Sequence, residues 1–143
     1  AFFYDYKLED DAGSPKSFFR TGEHVRLAAK VFFTTSLGRL IFGFTVKTVD
    51  GQVVFGSNSR SREMGLFGGE LGQTLFVNFN FVCSLVPGDY FISIGIASDD
   101  DDRDNAAIDR RYDVICLPVV GHSGDFGVSD LSFNLHIDPE ITL

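Results

Sequence analysis

Residues suited to ligand binding recur at alternate positions in three segments of the sequence. Each segment places small or basic side chains on one face and apolar side chains on the other. Small residues would leave a trough in a sheet surface, basic residues could hold hydroxyl, phosphate or carboxylate oxygens, and aromatic rings could stack on a sugar. If the segments share one sheet, the candidate ligand-binding residues are Arg26, Ala28, Lys30, Thr45, Lys47, Phe91, Ser93 and Gly95. The alternative is that the small residues only accommodate sheet twist or a covering loop.

Sequence motifs for catalysis or cofactor binding are missing from this chain. The phosphate-binding motif G-x-x-x-x-G-K-[ST], the nucleophile motif G-x-S-x-G and the zinc motif H-E-x-x-H do not occur. The histidines His24, His122 and His136 lack the spacing of metal ligands. A carboxylate pair for glycoside hydrolysis needs only spatial proximity, so a small glycan-active enzyme stays an alternative. We predict no enzyme activity, no catalytic residue, no metal site and no cofactor.

Length, composition and charge limit the class of protein. The chain has 143 residues, which predicts a single domain over residues 1–143. Its 16 phenylalanines favour strands and a packed core. The net charge of −8 makes nucleic acid a poor partner, because phosphate binding requires a cationic surface. The aspartate run at 99–102 lacks calcium-loop spacing and is interpreted as a solvated surface loop.

The two cysteines, Cys83 and Cys116, lie in apolar runs typical of strands. The sequence lacks the tryptophan that usually packs against an immunoglobulin disulfide. We therefore predict two buried free thiols, which suits a reducing compartment. No apolar run is long enough for a transmembrane helix.

Period-two alternation predicts strands along most of the chain. Segments 23–33 and 39–49 alternate apolar and polar residues, and Asp50-Gly51 predicts a hairpin turn after the second of them. Further strands are predicted over 2–10, 52–56, 74–83, 89–97, 108–120 and 125–137. Residues 57–72 are interpreted as a long loop, with a single helical turn near Met64. About eight strands without an amphipathic helix predict an all-β, antiparallel β-sandwich.

Several quoted motifs together resemble one family. They are a strand ending F-G-F-x-V-K before the hairpin D-G-x-x-V-F-G-S-N-S, the segment P-G-D-Y-F-I-S-I-G-I-A, the segment R-R-Y-D-V, and G-D-F-G-V before a last strand. The stretch FRTGEHVRL, Phe19 to Leu27, also fits. Over about Phe3 to Leu135, the chain resembles the C-terminal carbohydrate-binding domain of the Wzt-type ATP-binding subunit of bacterial O-antigen ABC transporters.

This resemblance implies an immunoglobulin-like sandwich that recognises the capped non-reducing end of an O-polysaccharide and couples chain completion to export. It implies the transporter ATPase and membrane subunits as partners, at the cytoplasmic side of the inner membrane. It also implies a homodimer formed by exchange of the C-terminal strand, here Asp125 to Ile137, with residues 121–124 as hinge. The ATPase domain is not in this chain, which has no Walker motif. No binding residue of the family can be matched residue by residue.

The corner Gly56–Ser59 in the hairpin motif has a structural interpretation. Gly56 would end or bend the strand, and Asn58 would bond the backbone through its side-chain amide. The corner would then be a structural motif of the fold, and the residues that determine ligand specificity would lie on the sheet face. The main alternative to glycan recognition is an immunoglobulin-like protein-interaction module without a glycan ligand.

Overall fold

The computed structural model of this chain describes residues 1–99 and 106–138. In these residues the chain forms nine strands and no helix. The strands are β1 (Phe2–Glu9), β2 (Phe19–Arg20), β3 (His24–Phe32), β4 (Leu37–Thr48), β5 (Val53–Asn58), β6 (Phe67–Gly69), β7 (Thr74–Val82), β8 (Gly88–Ser98) and β9 (Ala106–Val120). Since this part of the chain has no helix, it has none that is long and apolar enough to span a membrane.

The strands form two sheets that pack face to face. The first has the order β1-β3-β7, and the second has the order β2-β9-β8-β4-β5, with β6 also pairing with β4. All pairs are antiparallel except the short β2–β9 pair. The predicted all-β, immunoglobulin-like sandwich is confirmed.

The core follows from the alternation of the long strands. On β3, Val25, Leu27, Ala29 and Val31 are buried, and the residues between them are half-buried. Isoleucines of β8 and the rings of Phe19 and Phe33 fill the space between the sheets. Burying one such ring stabilises the fold by about 1.5–3 kcal/mol relative to leaving it in water. The hairpin turn is also confirmed, because Gly51 has φ +85° and donates its N–H to Thr48 O.

The two lateral edges of the sandwich differ. At one edge the Phe3 amide donates to Asp109 Oδ2 at 2.8 Å, and Arg111 Nη2 donates to Phe3 O at 3.1 Å. These bonds join β1 to β9 across the two sheets and close that edge. At the opposite edge, β7 pairs only with β3 among the described residues, and β5 pairs only with β4. That edge is open.

Some predictions about local structure are wrong. Near Met64 the chain forms a single turn, in which the Arg62 amide donates to Asn58 O, but no helix, and β2 and β6 are additional short strands. Gly56 does not end its strand, because β5 continues to Asn58. Residues 125–137 form no strand and make only one bridge, at Ser129. Residues 100–105, with most of the aspartate run, lie outside the described residues.

The cysteine prediction is half right. Both thiols are free, and Cys83 is fully buried, but Cys116 is exposed on β9. Burial raises the pKa of the Cys83 thiol to about 11, which keeps it protonated at neutral pH. Cys116 is exposed because it lies opposite Phe91, on the outer face of the second sheet.

Candidate functional site

The eight predicted ligand-binding residues do not share one sheet. Arg26, Ala28 and Lys30 lie on β3, in the three-stranded sheet. Thr45, Lys47, Phe91, Ser93 and Gly95 lie on β4 and β8, which are neighbours in the second sheet. The single-sheet condition of the prediction is therefore wrong, and the two groups occupy opposite outer faces of the sandwich.

The outer face of the second sheet has a floor of small residues. Gly43 on β4 pairs with Gly95 on β8, and Thr45 pairs with Ser93 on one side and Gly56 of β5 on the other. We call these five residues the glycine trough. A Cβ atom at Gly43 would lie 3.3 Å from Ser57 O and from Asn58 Cβ, so a larger residue there would require β5 to shift. The packing of β5 against β4 therefore requires a glycine at position 43.

A bulge in β9 forms one wall of the glycine trough. The register jumps from the Ile92–Ile115 pair to the Ile94–Arg111 pair, which leaves residues 112–114 opposite Ser93. Asp113 has φ +50°, an uncommon conformation for a residue with a side chain. Its amide donates to Ser93 Oγ at 2.9 Å, and Ser93 is only 8% exposed, so the bulge covers this part of the trough floor. Strained backbone of this kind is concentrated at functional sites.

Charged and aromatic side chains flank the bulge. Lys47 Nζ lies 3.9 Å from Asp113 Oδ1 and 5.9 Å from the centre of the Tyr112 ring. The Tyr112 side chain is 65% exposed, so most of its surface is available to a ligand. Phe91, beside Lys47 on the neighbouring strand, is half-buried. Together these residues present an amine, a carboxylate, a phenol and flat apolar surface.

Arg110 lies beside the trough on β9, opposite Gly95. It is exposed and forms no ion pair in the described parts of the chain. A Cβ atom at Gly95 would lie 3.8 Å from Arg110 Cγ, so the arginine stem borders the floor directly. With Lys47 and Asp113, Arg110 gives the trough one net positive charge on a chain of net charge −8. The site can therefore accept neutral or anionic ligands.

The β3 residues lie on a sheet face with its own ion pairs. Arg26 Nη1 is 3.4 Å from Glu9 Oε1, and Lys30 Nζ is 3.8 Å from Asp5 Oδ2. Ala28 lies between Lys7 of β1 and Asn78 of β7. With Lys7, which lies 3.9 Å from Glu9 Oε2, this face carries three basic and two acidic side chains, so its net charge equals that of the trough and charge alone does not distinguish the two faces.

The Gly56–Ser59 corner is structural at Asn58 and Ser59. Asn58 Oδ1 accepts the Ser61 amide at 2.8 Å, as predicted for its side-chain amide. The buried Ser59 Oγ accepts the Phe42 amide at 3.0 Å, and the Ser59 amide donates to Phe42 O. The corner thus continues the β4–β5 pairing and fixes the turn that follows it.

A second feature is a groove at the open edge. We call it the edge groove; its volume is about 720 Å³ and it lies between β7 on one sheet and β4 and β5 on the other. Its walls include Phe44, whose ring centre is 5.5 Å from that of Phe81 and 5.9 Å from those of Phe55 and Phe79.

Sequence reasoning missed three residues of the trough wall, Arg110, Tyr112 and Asp113. The quoted motif R-R-Y-D-V contains all three, but alternation alone does not reveal the bulge that sets Asp113 against Ser93. The described residues contain no group of three metal-ligating side chains.

The fold is a β-sandwich with small residues on the outer face of one sheet and an open apolar edge. The family model described as the Wzt C-terminal domain matches residues 1–131, and the chain belongs to this family. Membership implies a role in the O-antigen ABC transporter, in which this domain is a non-catalytic module of the ATPase subunit.

Solved structures agree with this assignment. The crystal structure of the C-terminal domain of Wzt has a TM-score of 0.85 and 26% identity, and the match covers 95% of this chain and 83% of that one. A β-glucosidase from Listeria innocua, in complex with gluconolactone or with glucose, matches with a TM-score of 0.42 and 14% identity, covering 82% of this chain and 16% of that one. That likeness is too weak to carry a functional argument. No curated protein sequence matches the chain.

Proposed function

We propose that this chain binds the capped non-reducing terminus of an O-antigen polysaccharide in the glycine trough, without catalysing a reaction. The observation that carries the proposal is the combination of a floor without large side chains and a wall that holds Lys47, Tyr112 and Asp113. A sugar ring needs flat apolar surface for its C–H face and donors and acceptors for its hydroxyls. Of the predicted binding residues, Thr45, Lys47, Phe91 and Gly95 would face the ligand, and the buried Ser93 would position Asp113.

Family membership supports the biological setting. A domain attached to the transporter ATPase is well placed to couple recognition of a finished chain to export by the membrane subunits. We infer that the domain acts at the cytoplasmic side of the inner membrane. The positive trough on an otherwise acidic domain would also accept an acidic cap, because Arg110 can donate two parallel hydrogen bonds to a carboxylate or phosphate.

We also propose that the domain is a homodimer formed by exchange of its C-terminal segment, residues 131–138. In the described chain this segment has no secondary structure, and its alternate apolar residues are exposed, with Leu131 87%, Phe133 85%, Leu135 67% and Ile137 71% exposed. Exposing four apolar side chains to water is unfavourable. The edge groove is lined largely by apolar side chains and could bury them. The segment of a second copy would add a strand to β7 and cover the groove.

A pair of tryptophan variants tests the glycan site. Gly95→Trp would place an indole over Gly43, and its Cβ atom would meet no atom closer than 3.6 Å, so the backbone should tolerate it. Ala28→Trp makes the same kind of change on the outer face of the other sheet. The probe is O-polysaccharide released by mild acid from the lipopolysaccharide of the strain that encodes this chain. We expect Gly95→Trp to weaken binding by more than about tenfold, a loss of about 1.4 kcal/mol, and Ala28→Trp to leave it unchanged.

Thermal unfolding of both variants checks that each is folded. Loss of binding in Ala28→Trp alone would place the site on the three-stranded sheet, with Arg26 and Lys30, and would overturn the trough. The same polysaccharide without its terminal modification should bind more weakly if the terminus is what the trough holds. Absence of binding by the wild-type domain to the intact polysaccharide would favour the protein-interaction module instead.

A further inference from the structure

Lys47 and Asp113 face each other at the trough wall without forming a hydrogen bond. The distance from Lys47 Nζ to Asp113 Oδ1 is 3.9 Å, which exceeds the length of about 2.7–3.2 Å that such a bond has. The Asp113 side chain is 53% exposed and the Lys47 side chain is 25% exposed, so a ligand can reach both. The pair therefore offers a ligand one charged acceptor and one charged donor.

Ser93 fixes the orientation of the Asp113 carboxylate. The Ser93 hydroxyl accepts the Asp113 amide at 2.9 Å and donates to Asp113 Oδ1 at 3.4 Å. Lys47 approaches this same oxygen. Asp113 Oδ2 has no hydrogen-bond partner among residues 1–99 and 106–138. An ionised carboxylate oxygen of this kind is a strong acceptor for a hydroxyl group of a ligand.

Two hydroxyl groups on adjacent carbons of a sugar suit the gap between the two side chains. One hydroxyl would donate to Asp113 and its neighbour would accept from Lys47, each over an ordinary hydrogen-bond distance. The Tyr112 ring has its centre 5.9 Å from Lys47 Nζ and is 65% exposed, so it can pack on the C–H face of the same sugar. A phosphate or carboxylate suits this end of the trough poorly, because Asp113 would repel it.

The other end of the trough has different chemistry. Arg110 lies opposite Gly95, which is four residues along β8 from Phe91, the neighbour of Lys47. Four residues of a strand span about 13 Å. The two ends are therefore far enough apart to hold different groups of one glycan.

We propose that Lys47 and Asp113 select a neutral sugar with two adjacent free hydroxyl groups, on which Tyr112 packs. The inference rests on the proposed glycan site and adds the class of sugar that the bulge end of the trough accepts. Asp113 is then a specificity-determining residue, and Ser93 is its positioning residue. An acidic cap would be held at Arg110 and not at Lys47.

Selective destruction of adjacent hydroxyl groups tests the proposal. Periodate cleaves the bond between two carbons that carry them, and borohydride then reduces the resulting aldehydes to alcohols. The probes are the O-polysaccharide of the strain that encodes this chain, before and after this treatment. The proteins are the wild type and Asp113→Asn. Asparagine, like aspartate, is tolerated at positive φ, so this variant should keep the bulge, and thermal unfolding checks that it is folded.

We expect Asp113→Asn to weaken binding of the intact polysaccharide about ten- to a hundredfold, because a hydrogen bond to a charged group is lost. Periodate treatment should weaken binding by the wild type at least as much. It should cost Asp113→Asn a smaller factor, because the variant has already lost the contact. In the matched control Arg110→Gln, the treatment should cost the same factor as in the wild type. A variant that only loosened the bulge would also keep the wild-type factor.

The outcomes separate the diol inference from the glycan site. It is overturned if Asp113→Asn binds the intact polysaccharide within about twofold of the wild type, or if periodate treatment costs both proteins the same factor. Loss of binding in Gly95→Trp would in that case leave the trough proposal standing. Failure of the wild type to bind the intact polysaccharide overturns the trough proposal, and the diol inference with it.

Discussion

Truncating the apolar row of the C-terminal segment should dissociate the dimer. The perturbation is the double variant Phe133→Ala/Leu135→Ala. In the described chain these two side chains are 85% and 67% exposed, so removing them costs the isolated domain very little. In the exchanged dimer both would enter the edge groove, next to Phe79 and Phe81.

The size of the effect follows from the number of side chains. Burying one such side chain is worth about 2 kcal/mol, and the dimer buries two from each chain, so the variant should lose about 8 kcal/mol of association free energy. At about 1.4 kcal/mol per power of ten, the dissociation constant should rise between five and six powers of ten. Alanine keeps one carbon of each side chain, so this value is an upper estimate.

Sedimentation velocity over a concentration series measures the shift. The matched control is Asn134→Ala/His136→Ala, which truncates the alternate row on the outer face and should leave the dimer intact. Thermal unfolding of the monomeric variant should show that the domain itself remains folded. If Phe133→Ala/Leu135→Ala stays dimeric at every concentration where the wild type is dimeric, the chains associate through another surface and the reasoning fails.

Two further predictions concern the stability of the domain. Ser59→Ala leaves the Phe42 amide without its side-chain acceptor and should lower the free energy of unfolding by about 1–3 kcal/mol. The control variant Ser57→Ala should leave the free energy of unfolding nearly unchanged. Urea denaturation measures both. The hydrogen bond from Lys16 lowers the pKa of Glu23 below its ordinary value of 4.5. The ionised carboxylate therefore stabilises the fold at pH values above 4.5, and this contribution is lost as the pH falls through the lowered pKa. Glu23→Gln should therefore be less stable than wild type at pH 7, with a difference that shrinks in acid; a constant difference would show that charge is not the cause.

The long strands were predictable because each buries one face. In β3, β4, β7 and β8 the period-two pattern is long enough to distinguish a strand from a helix and to assign its inner face. The short strands β2 and β6, with two and three residues, are too short for any pattern to indicate them. They form because neighbouring strands have unpaired edges at those positions. A sequence pattern does not show which strands are neighbours.

The candidate site was only partly predictable, for a related reason. Alternation tells which residues of a strand face away from the core, and it places Thr45, Ser93 and Gly95 on the outer face of β4 and β8. It does not show that the β9 bulge covers Ser93, which is 8% exposed. It cannot tell which sheet a strand joins, so Ala28 was grouped with them although β3 lies in the other sheet. The bulge at Asp113 depends on the bond from its amide to Ser93 Oγ, a contact between strands twenty residues apart.

The C-terminal segment shows how a correct pattern can predict a strand that the single chain does not form. Leu131, Phe133, Leu135 and Ile137 alternate with polar residues as clearly as the residues of β3 do. A strand needs a neighbour as well as a pattern, and the turn at Ser132 removes this segment from the neighbour that its own chain offers. Local pattern and local structure therefore conflict in the single chain, and the proposed pairing with a second copy would resolve the conflict. An exposed apolar alternation beside an unpaired strand is thus an argument for the dimer that is independent of family membership.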